Sequence, residues 1–371
     1  MQRLNAEELL ARLVSYPTVA GTSNLALMQF IADYLEQFGA QVHLMTGPEG
    51  DRANLFATIG DPSVPGFILS GHVDVVPAGE PEWKDDPFEM RHDEDRLIGR
   101  GTCDMKGFDA AVLSAVPDLA TMALSAPIHI ALSYDEEIGC KGVPHMIAAL
   151  PKLCAAPLGC IVGEPTGLRP VLAHKGKAAM KLWARGVSGH SSRPDQGENA
   201  IHALLPVLNA AAHQADTLKS DGQDDRFAPP YSTLQIGVVQ GGQAVNIIPD
   251  HAQALIEVRG IPGVDPQVLL EPLVESGGPN VKAELISTYP ALALPADSGL
   301  AQLMTTLTGV AAIGAVSFGT EAGLFQQAGI PSIICGPGDI SRAHKPEEYL
   351  TRAELSAARN MILNLGQSLA S

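Results

Sequence analysis

The chain has 371 residues, 46% hydrophobic and 18% charged, the make-up of an ordinary globular protein with room for one large domain or two. With 24 basic against 41 acidic residues its formal charge is −17, which argues against nucleic acid or an anionic membrane as the main partner. The run from Met1 to Glu8 has no apolar signal core, and no stretch reaches the length of a membrane span. The five cysteines (103, 140, 154, 160, 335) lack CxxC spacing, so reduced thiols in a cytoplasmic protein are expected. Any metal would then be held by histidines and carboxylates.

Residues 5–16 read as a helix, and a second starts at a Ser23 cap and ends at Gly39. Strand-like runs follow at 41–45, 54–59 and 66–69. The third delivers Ser70-Gly71-His72-Val73-Asp74, with an imidazole and a carboxylate two residues apart at the strand end. A short strand at 97–100 leads into Gly101-Thr102-Cys103-Asp104-Met105-Lys106-Gly107, followed by an alanine-rich helix to Leu119. Strand 128–133 delivers Asp135-Glu136-Glu137, and after a helix at 143–150, strand 158–162 delivers Gly163-Glu164. Strands alternating with helices predict an α/β fold with a mixed, largely parallel sheet, and in such sheets ligands gather at the carboxyl ends of strands.

The pattern changes near residue 175. A strand at 178–184, a helix at 200–215, strands at 233–239 and 252–259, a helix at 266–275 and a strand at 282–288 give the order β-α-β-β-α-β. That predicts a ferredoxin-like domain at 175–288 inserted into a domain made of 1–174 and 289–371. The α/β pattern resumes with a helix at 298–308, a short strand at 315–318 and a helix at 321–328. A strand at 332–335, the loop carrying His344 and a helix from Thr351 complete the chain.

His72, Asp74, Asp104, Glu136, Glu137, Glu164 and His344 form the candidate constellation. Two imidazoles and several carboxylates suit Zn²⁺, or Co²⁺ or Mn²⁺. The donors exceed what one tetrahedral ion needs, which points to two cations, about 3.5–4 Å apart in such sites, sharing one carboxylate. Glu136 and Glu137 are adjacent, so one can ligate while the other moves a proton between a water and a leaving amine. Taken alone, the pair also fits a solvated loop. Cys103 and Cys140 flank acidic positions but read better as small hydrophobes than as ligands.

Five stretches in order resemble the dinuclear-zinc aminoacylase and carboxypeptidase family. They are Ser70 to Pro77, Gly99 to Gly107, Asp135 to Cys140, Gly163 to Thr166 and Ala343 to Pro346. Cys103 before Asp104, His174-Lys175-Gly176-Lys177, Gly319 to Phe325 and Cys335 to Ile340 resemble the acetylornithine deacetylases within it. The Gly-Ala-Ala-Asp usual in succinyl-diaminopimelate desuccinylases is absent.

The resemblance implies that Asp104 bridges two cations. His72 and Glu164 complete one site, Glu137 and His344 the other. Glu136 acts as base and then acid, Asp74 stands behind His72 to orient it, and the Asp104–Met105 peptide is cis. It implies further that His190, in Gly186 to Ser192, reaches a second subunit's active site to hold the oxyanion, so that a homodimer forms through the inserted lid and dimerisation domain. Asn246 and Arg259 resemble the clamp for a substrate carboxylate, and Gly319-Thr320 the turn that offers a donor near the acyl group. Glu321 is a candidate partner for a substrate amine.

The expected reaction is metal-dependent hydrolysis of an N-acyl amino acid, N-acetyl-L-ornithine first. The alternatives are another N-acyl amino acid, succinyl-diaminopimelate, a dipeptide, or a non-catalytic binding protein on the same scaffold.

Overall fold

A computed structural model describes residues 2–370. The chain divides into two compact units, one made of 1–172, 294–314 and 320–371, the other of 173–293 and 315–319.

The first unit is built on a six-stranded sheet in the order Gln41–Thr46, Ala53–Ile59, Ile128–Ser133, Phe67–His72, Gly159–Pro165, Ser332–Gly336. The first two pairings are antiparallel and the other three parallel, so the sheet is mixed and largely parallel. The four inner strands are buried along their whole length, as expected for strands covered on both faces. Helix Lys106–Leu119 is buried on every side except at Asp118 and packs on Ala6–Val14 and Arg352–Leu369. Its approach to the sheet depends on Gly163, where a Cβ would overlap the Phe108 ring. Among the described residues no helix is long and apolar enough to cross a membrane.

Helix Leu25–Glu36 is capped by position, not by a side chain. Asn24 precedes it but spends its amide on both backbone groups of Ala53, tying the helix to a core strand. The strand expected at 315–318 does not form. Val316 makes one isolated bridge, donating to Ala173 O, and nothing continues the ladder.

The second unit holds a four-stranded antiparallel sheet in the order Thr233–Gly241, His251–Gly260, Gly176–Arg185, Val281–Tyr289. With helices Ala200–Thr217 and Glu271–Ser276 this is the ferredoxin-like arrangement. The apolar positions of strand Gly176–Arg185 alternate, and Ala178, Met180, Leu182 and Ala184 pack with Leu204 and Val207 of the long helix. Strands Ala173–His174 and Leu292–Ala293 pair with each other, which is why the unit begins before residue 175 and ends after 288. The helix expected at 266–275 is confined to Glu271–Ser276. Pro272 has no N–H to give to a preceding turn, so it sits in the first turn.

Candidate metal centre

Strand Phe67–His72 places His72 at the carboxyl end of an inner strand, 1% exposed. Its Nδ1 lies 2.9 Å from the backbone carbonyl of Asp74. A carbonyl only accepts, so Nδ1 carries the proton and Nε2 is the atom turned to the site. Nε2 stands 3.2 Å from Asp104 Oδ1 and 3.9 Å from Glu164 Oε1. The other oxygen of Asp104, Oδ2, stands 3.2 Å from His344 Nε2, which is 3.0 Å from Glu137 Oε2. Asp104 therefore presents one oxygen to each imidazole. The Asp104–Met105 peptide is cis.

Two ligands at about 2.0–2.1 Å from one tetrahedral cation stand about 3.3 Å apart, close to these separations. Donor atoms of His72, Asp104 and Glu137 converge within 4.8 Å, as do those of His72, Glu136 and Glu164. The donors are four acids against two imidazoles, an excess of negative charge that suits cations. Burial raises Glu164 well above the ordinary carboxyl range, and the charges of Asp104 and Glu136 add to it. Burial likewise raises Glu136, with Glu137 and Asp74 reinforcing the shift against His72. Asp104 runs the other way: burial opposes ionisation, but hydrogen bonds from His344 and His72 hold it well below the usual range. Those bonds to Asp104 and Glu137 lift His344 to about 10. Burial opposes charge on His72, but its hydrogen bonds to Asp104 and Asp74 raise it. Both imidazoles are thus drawn toward holding a proton beside the acids, the part a bound cation would take over.

Glu136 and Glu137 sit in a tight loop after strand Ile128–Ser133. Asp135 and Cys140, both at positive φ (53° and 54°), bracket it, and the N–H groups of Gly139 and Cys140 close on Glu136 O at 2.9 Å. Asp135 is fixed from outside, accepting from Gly21 N at 2.7 Å and Arg52 Nη1 at 2.5 Å.

Asp74 acts mainly on this loop. Its Oδ1 accepts Glu136 N and its Oδ2 accepts Glu137 N, both at 3.1 Å. Its carboxylate is 3.5 Å from His72 Nδ1, farther than its own carbonyl.

Glu321 is not free to meet a substrate amine. It is 1% exposed, and its two oxygens accept Ser70 Oγ at 2.5 Å and Ser133 Oγ at 2.7 Å. Burial pushes it up to about 6 against those two bonds. Thr320 is also buried, and its Oγ1 accepts Ala322 N at 3.0 Å. Cys103 and Cys140 are buried thiols, pushed up by burial, and neither belongs to a ligand group among the described residues. Cys140 Sγ donates to Glu136 Oε1 at 3.3 Å, a contact that spacing alone could not reveal.

In the second unit, His190 and Asn246 lie together. Strand Gly189–His190 pairs with Ile247–Ile248, and Ser191 N donates to Asn246 O at 3.0 Å. His190 is exposed, and its Nδ1 accepts from Ser192 N at 3.2 Å. A backbone N–H only donates, so the proton is on Nε2, which offers a donor outward. Arg259 Nε donates to Glu257 at 2.8 Å and Nη1 to the Tyr289 hydroxyl at 3.1 Å. Gly319 lies against the Tyr289 ring, where a Cβ would overlap it.

The profile of peptidase family M20/M25/M40 matches residues 68–367. The chain is 33% identical to an acetylornithine deacetylase of Photorhabdus laumondii, covering 96% of this chain and 95% of the relative. It is 34% identical to an acetylornithine deacetylase of Proteus mirabilis, covering 96% and 94%. An M20 family metallo-carboxypeptidase from Sulfolobus solfataricus aligns with a TM-score of 0.79 at 19% identity, covering 96% of this chain and 97% of that one. A dinuclear metal binding peptidase of the M20 family from Bacillus subtilis gives 0.64 at 16% identity, covering 98% of each. These last two are likenesses of fold.

Proposed function

Because the chain belongs to peptidase family M20/M25/M40 and is a metal-dependent hydrolase, we propose that it cleaves the amide bond of an N-acyl amino acid, N-acetyl-L-ornithine giving L-ornithine and acetate. Such a step would serve arginine biosynthesis in the cytoplasm. The observation that carries the reading is Asp104, whose two oxygens each stand 3.2 Å from a different imidazole.

In this reading two divalent cations, Zn²⁺ or Co²⁺, would be held here, with Asp104 turned toward both. His72 and Glu164 would complete one side, Glu137 and His344 the other. Bound there, the cations would supply Lewis acidity toward the acyl carbonyl and lower the pKa of a water toward neutrality. Glu136 takes the proton from the attacking water and passes it to the leaving nitrogen. Asp74 keeps Glu136 and Glu137 in register by accepting both of their amides.

The second unit serves as lid and dimerisation domain. Arg259, with Glu257 on Nε and Tyr289 on Nη1, holds the substrate α-carboxylate. Asn246 lies beside His190 at the far end of strand His251–Gly260 from Arg259 and so joins it only from a second copy of the chain. His190, from a second copy of the chain in a homodimer, gives its Nε2–H to the developing oxyanion. Gly319-Thr320 supplies a backbone donor beside the acyl group.

The test is kcat/KM on N-acetyl-L-ornithine, N-acetyl-L-methionine, N-succinyl-diaminopimelate and simple dipeptides. The reading predicts acetylornithine ahead of the rest. A rival substrate turned over faster would overturn the substrate assignment and leave the hydrolysis standing.

A further inference from the structure

His344 is the ligand candidate with least support of its own. It lies in a loop at positive φ (58°) with half of its side chain exposed. Ordering such a residue on cation binding costs conformational entropy unless something else has already fixed it.

Four residues further on, Glu348 is 1% exposed and makes the connections that could do so. Its Oε1 accepts the backbone N–H of Cys103 at 2.9 Å and of Asp104 at 3.0 Å. Its Oε2 accepts Arg100 Nη1 at 2.8 Å. Its carbonyl accepts Gly99 N at 3.0 Å and Thr102 Oγ1 at 3.3 Å.

Arg100, also 1% exposed, returns to the same loop. Its Nη1 donates to Lys345 O at 3.3 Å, next to His344. Its Nη2 reaches Pro77 O at 3.1 Å and Glu80 Oε1 at 3.2 Å. The Trp83 ring, held through Nε1 by Glu80 at 3.0 Å, covers the guanidinium at 5.2 Å. The turn 99–104 and the loop 344–348 are thus tied at six points, four of them through the side chains of Glu348 and Arg100. A buried ion pair is weak evidence for stability in general, whereas holding groups in one fixed arrangement is a role such pairs can fill.

We infer that Glu348, braced by Arg100, is a positioning residue that sets the backbone of Asp104 and the His344 loop in the spacing the more exposed cation needs before that cation arrives. The inference rests on the reading of Asp104, Glu137 and His344 as ligands. It separates the two sides of the site. The His72 side is held by sheet strands at His72 and Glu164, and fills first. The His344 side depends on the Glu348 tie.

The experiment strips the full chain with a chelator and titrates it with Co²⁺, following heat and the visible spectrum. In Glu348→Gln, an oxygen remains for the two amides but an NH₂ group faces Arg100. The first equivalent is expected to bind within about three-fold of wild type and the second at least about ten-fold more weakly. The kcat returns at saturating Co²⁺ with KM unchanged, and the melting temperature of the stripped chain stays near wild type. Adding Arg100→Gln restores a donor–acceptor pair across the gap and recovers part of the second affinity.

Should Glu348→Gln fail to fold, Arg100→Lys reads the same quantity. It keeps the charge opposite Glu348 but loses the fork to Lys345 and Pro77, and a several-fold weaker second equivalent is expected. Unchanged affinity for both equivalents overturns the inference. So does an equal weakening of both together with a lower melting temperature, the mark of a role in folding alone. A wild-type chain that binds a single equivalent removes the two-cation reading itself, and the inference with it.

Discussion

Replacing Asp74 by alanine separates two ways in which this residue could serve the site. One route runs through His72, the other through the Glu136–Glu137 loop. His72 Nδ1 is held by the Asp74 backbone carbonyl at 2.9 Å, which any substitution preserves. The carboxylate holds Glu136 N and Glu137 N, both at 3.1 Å, and these amides lose their acceptor. A hydrogen bond to a charged group contributes about 1.5–3 kcal/mol. Opening of the loop should therefore become easier by about ten- to a hundred-fold at each amide. Loosening a proton-transfer group by an ångström costs about a hundred-fold in rate. Asp74→Ala is thus expected to lower kcat about a hundred-fold. Amide hydrogen exchange should rise in the peptide spanning 134–142 and stay unchanged in the one spanning 67–73. The result that refutes this reasoning is unchanged exchange across 134–142 with faster exchange at the His72 strand.

Three further outcomes follow from the same contacts. Glu136→Gln removes the proton carrier, so kcat should fall by about 10²–10⁴ while cation content, read by elemental analysis, stays at the wild-type value. His129 is fully buried with Nδ1 2.9 Å from Thr58 Oγ1, and burial lowers it to about 4 from its ordinary 6.5. The unfolded chain then binds the proton first, so the stability this residue contributes is complete above pH 6.5 and is lost as pH falls toward 4. Between pH 6.5 and 4.5, urea unfolding of the stripped wild type should lose about 2 kcal/mol more than that of His129→Asn. Gly163→Ala forces a methyl into the Phe108 ring beside Glu164 and should cost about 1–3 kcal/mol or more in the same assay, with weaker cation binding.

Much of the first unit was legible because most of its ligand candidates stand at or just past strand ends, where apolar runs stop and polar residues begin, with His344 in the loop that follows strand Ser332–Gly336. His72, Asp74, Asp104, Glu136, Glu137, Glu164 and His344 could be gathered that way, and the resemblance to the family singled out five of them as ligands. Donor atoms of His72, Asp104, Glu137, Glu164 and His344 do lie close to one another. What lay behind them was less legible. Glu321 reads as a free acid in a Gly-Thr-Glu turn, yet it is sealed by serines from two neighbouring parallel strands. No local pattern announces a partner about 190 or 250 residues away. Glu348 and Arg100 were missed for the same reason, although an arginine inside Gly99-Arg100-Gly101 leading into a buried turn demands an acid somewhere. The strand expected at 315–318 failed because alternation there satisfies only one bridge. The helix expected from 266 failed because Pro272 was read as helix interior instead of first turn.

In the proposed function these histidines and carboxylates make amide hydrolysis depend on bound cations. The most direct measurement strips the full chain of metal, then follows acetate release from N-acetyl-L-ornithine as Zn²⁺ or Co²⁺ is added. The account predicts no turnover without cation, activity rising up to two equivalents per chain, and loss of that activity on adding chelator. Full turnover by the exhaustively stripped chain would contradict it, as would two bound equivalents with no hydrolysis of any N-acyl amino acid.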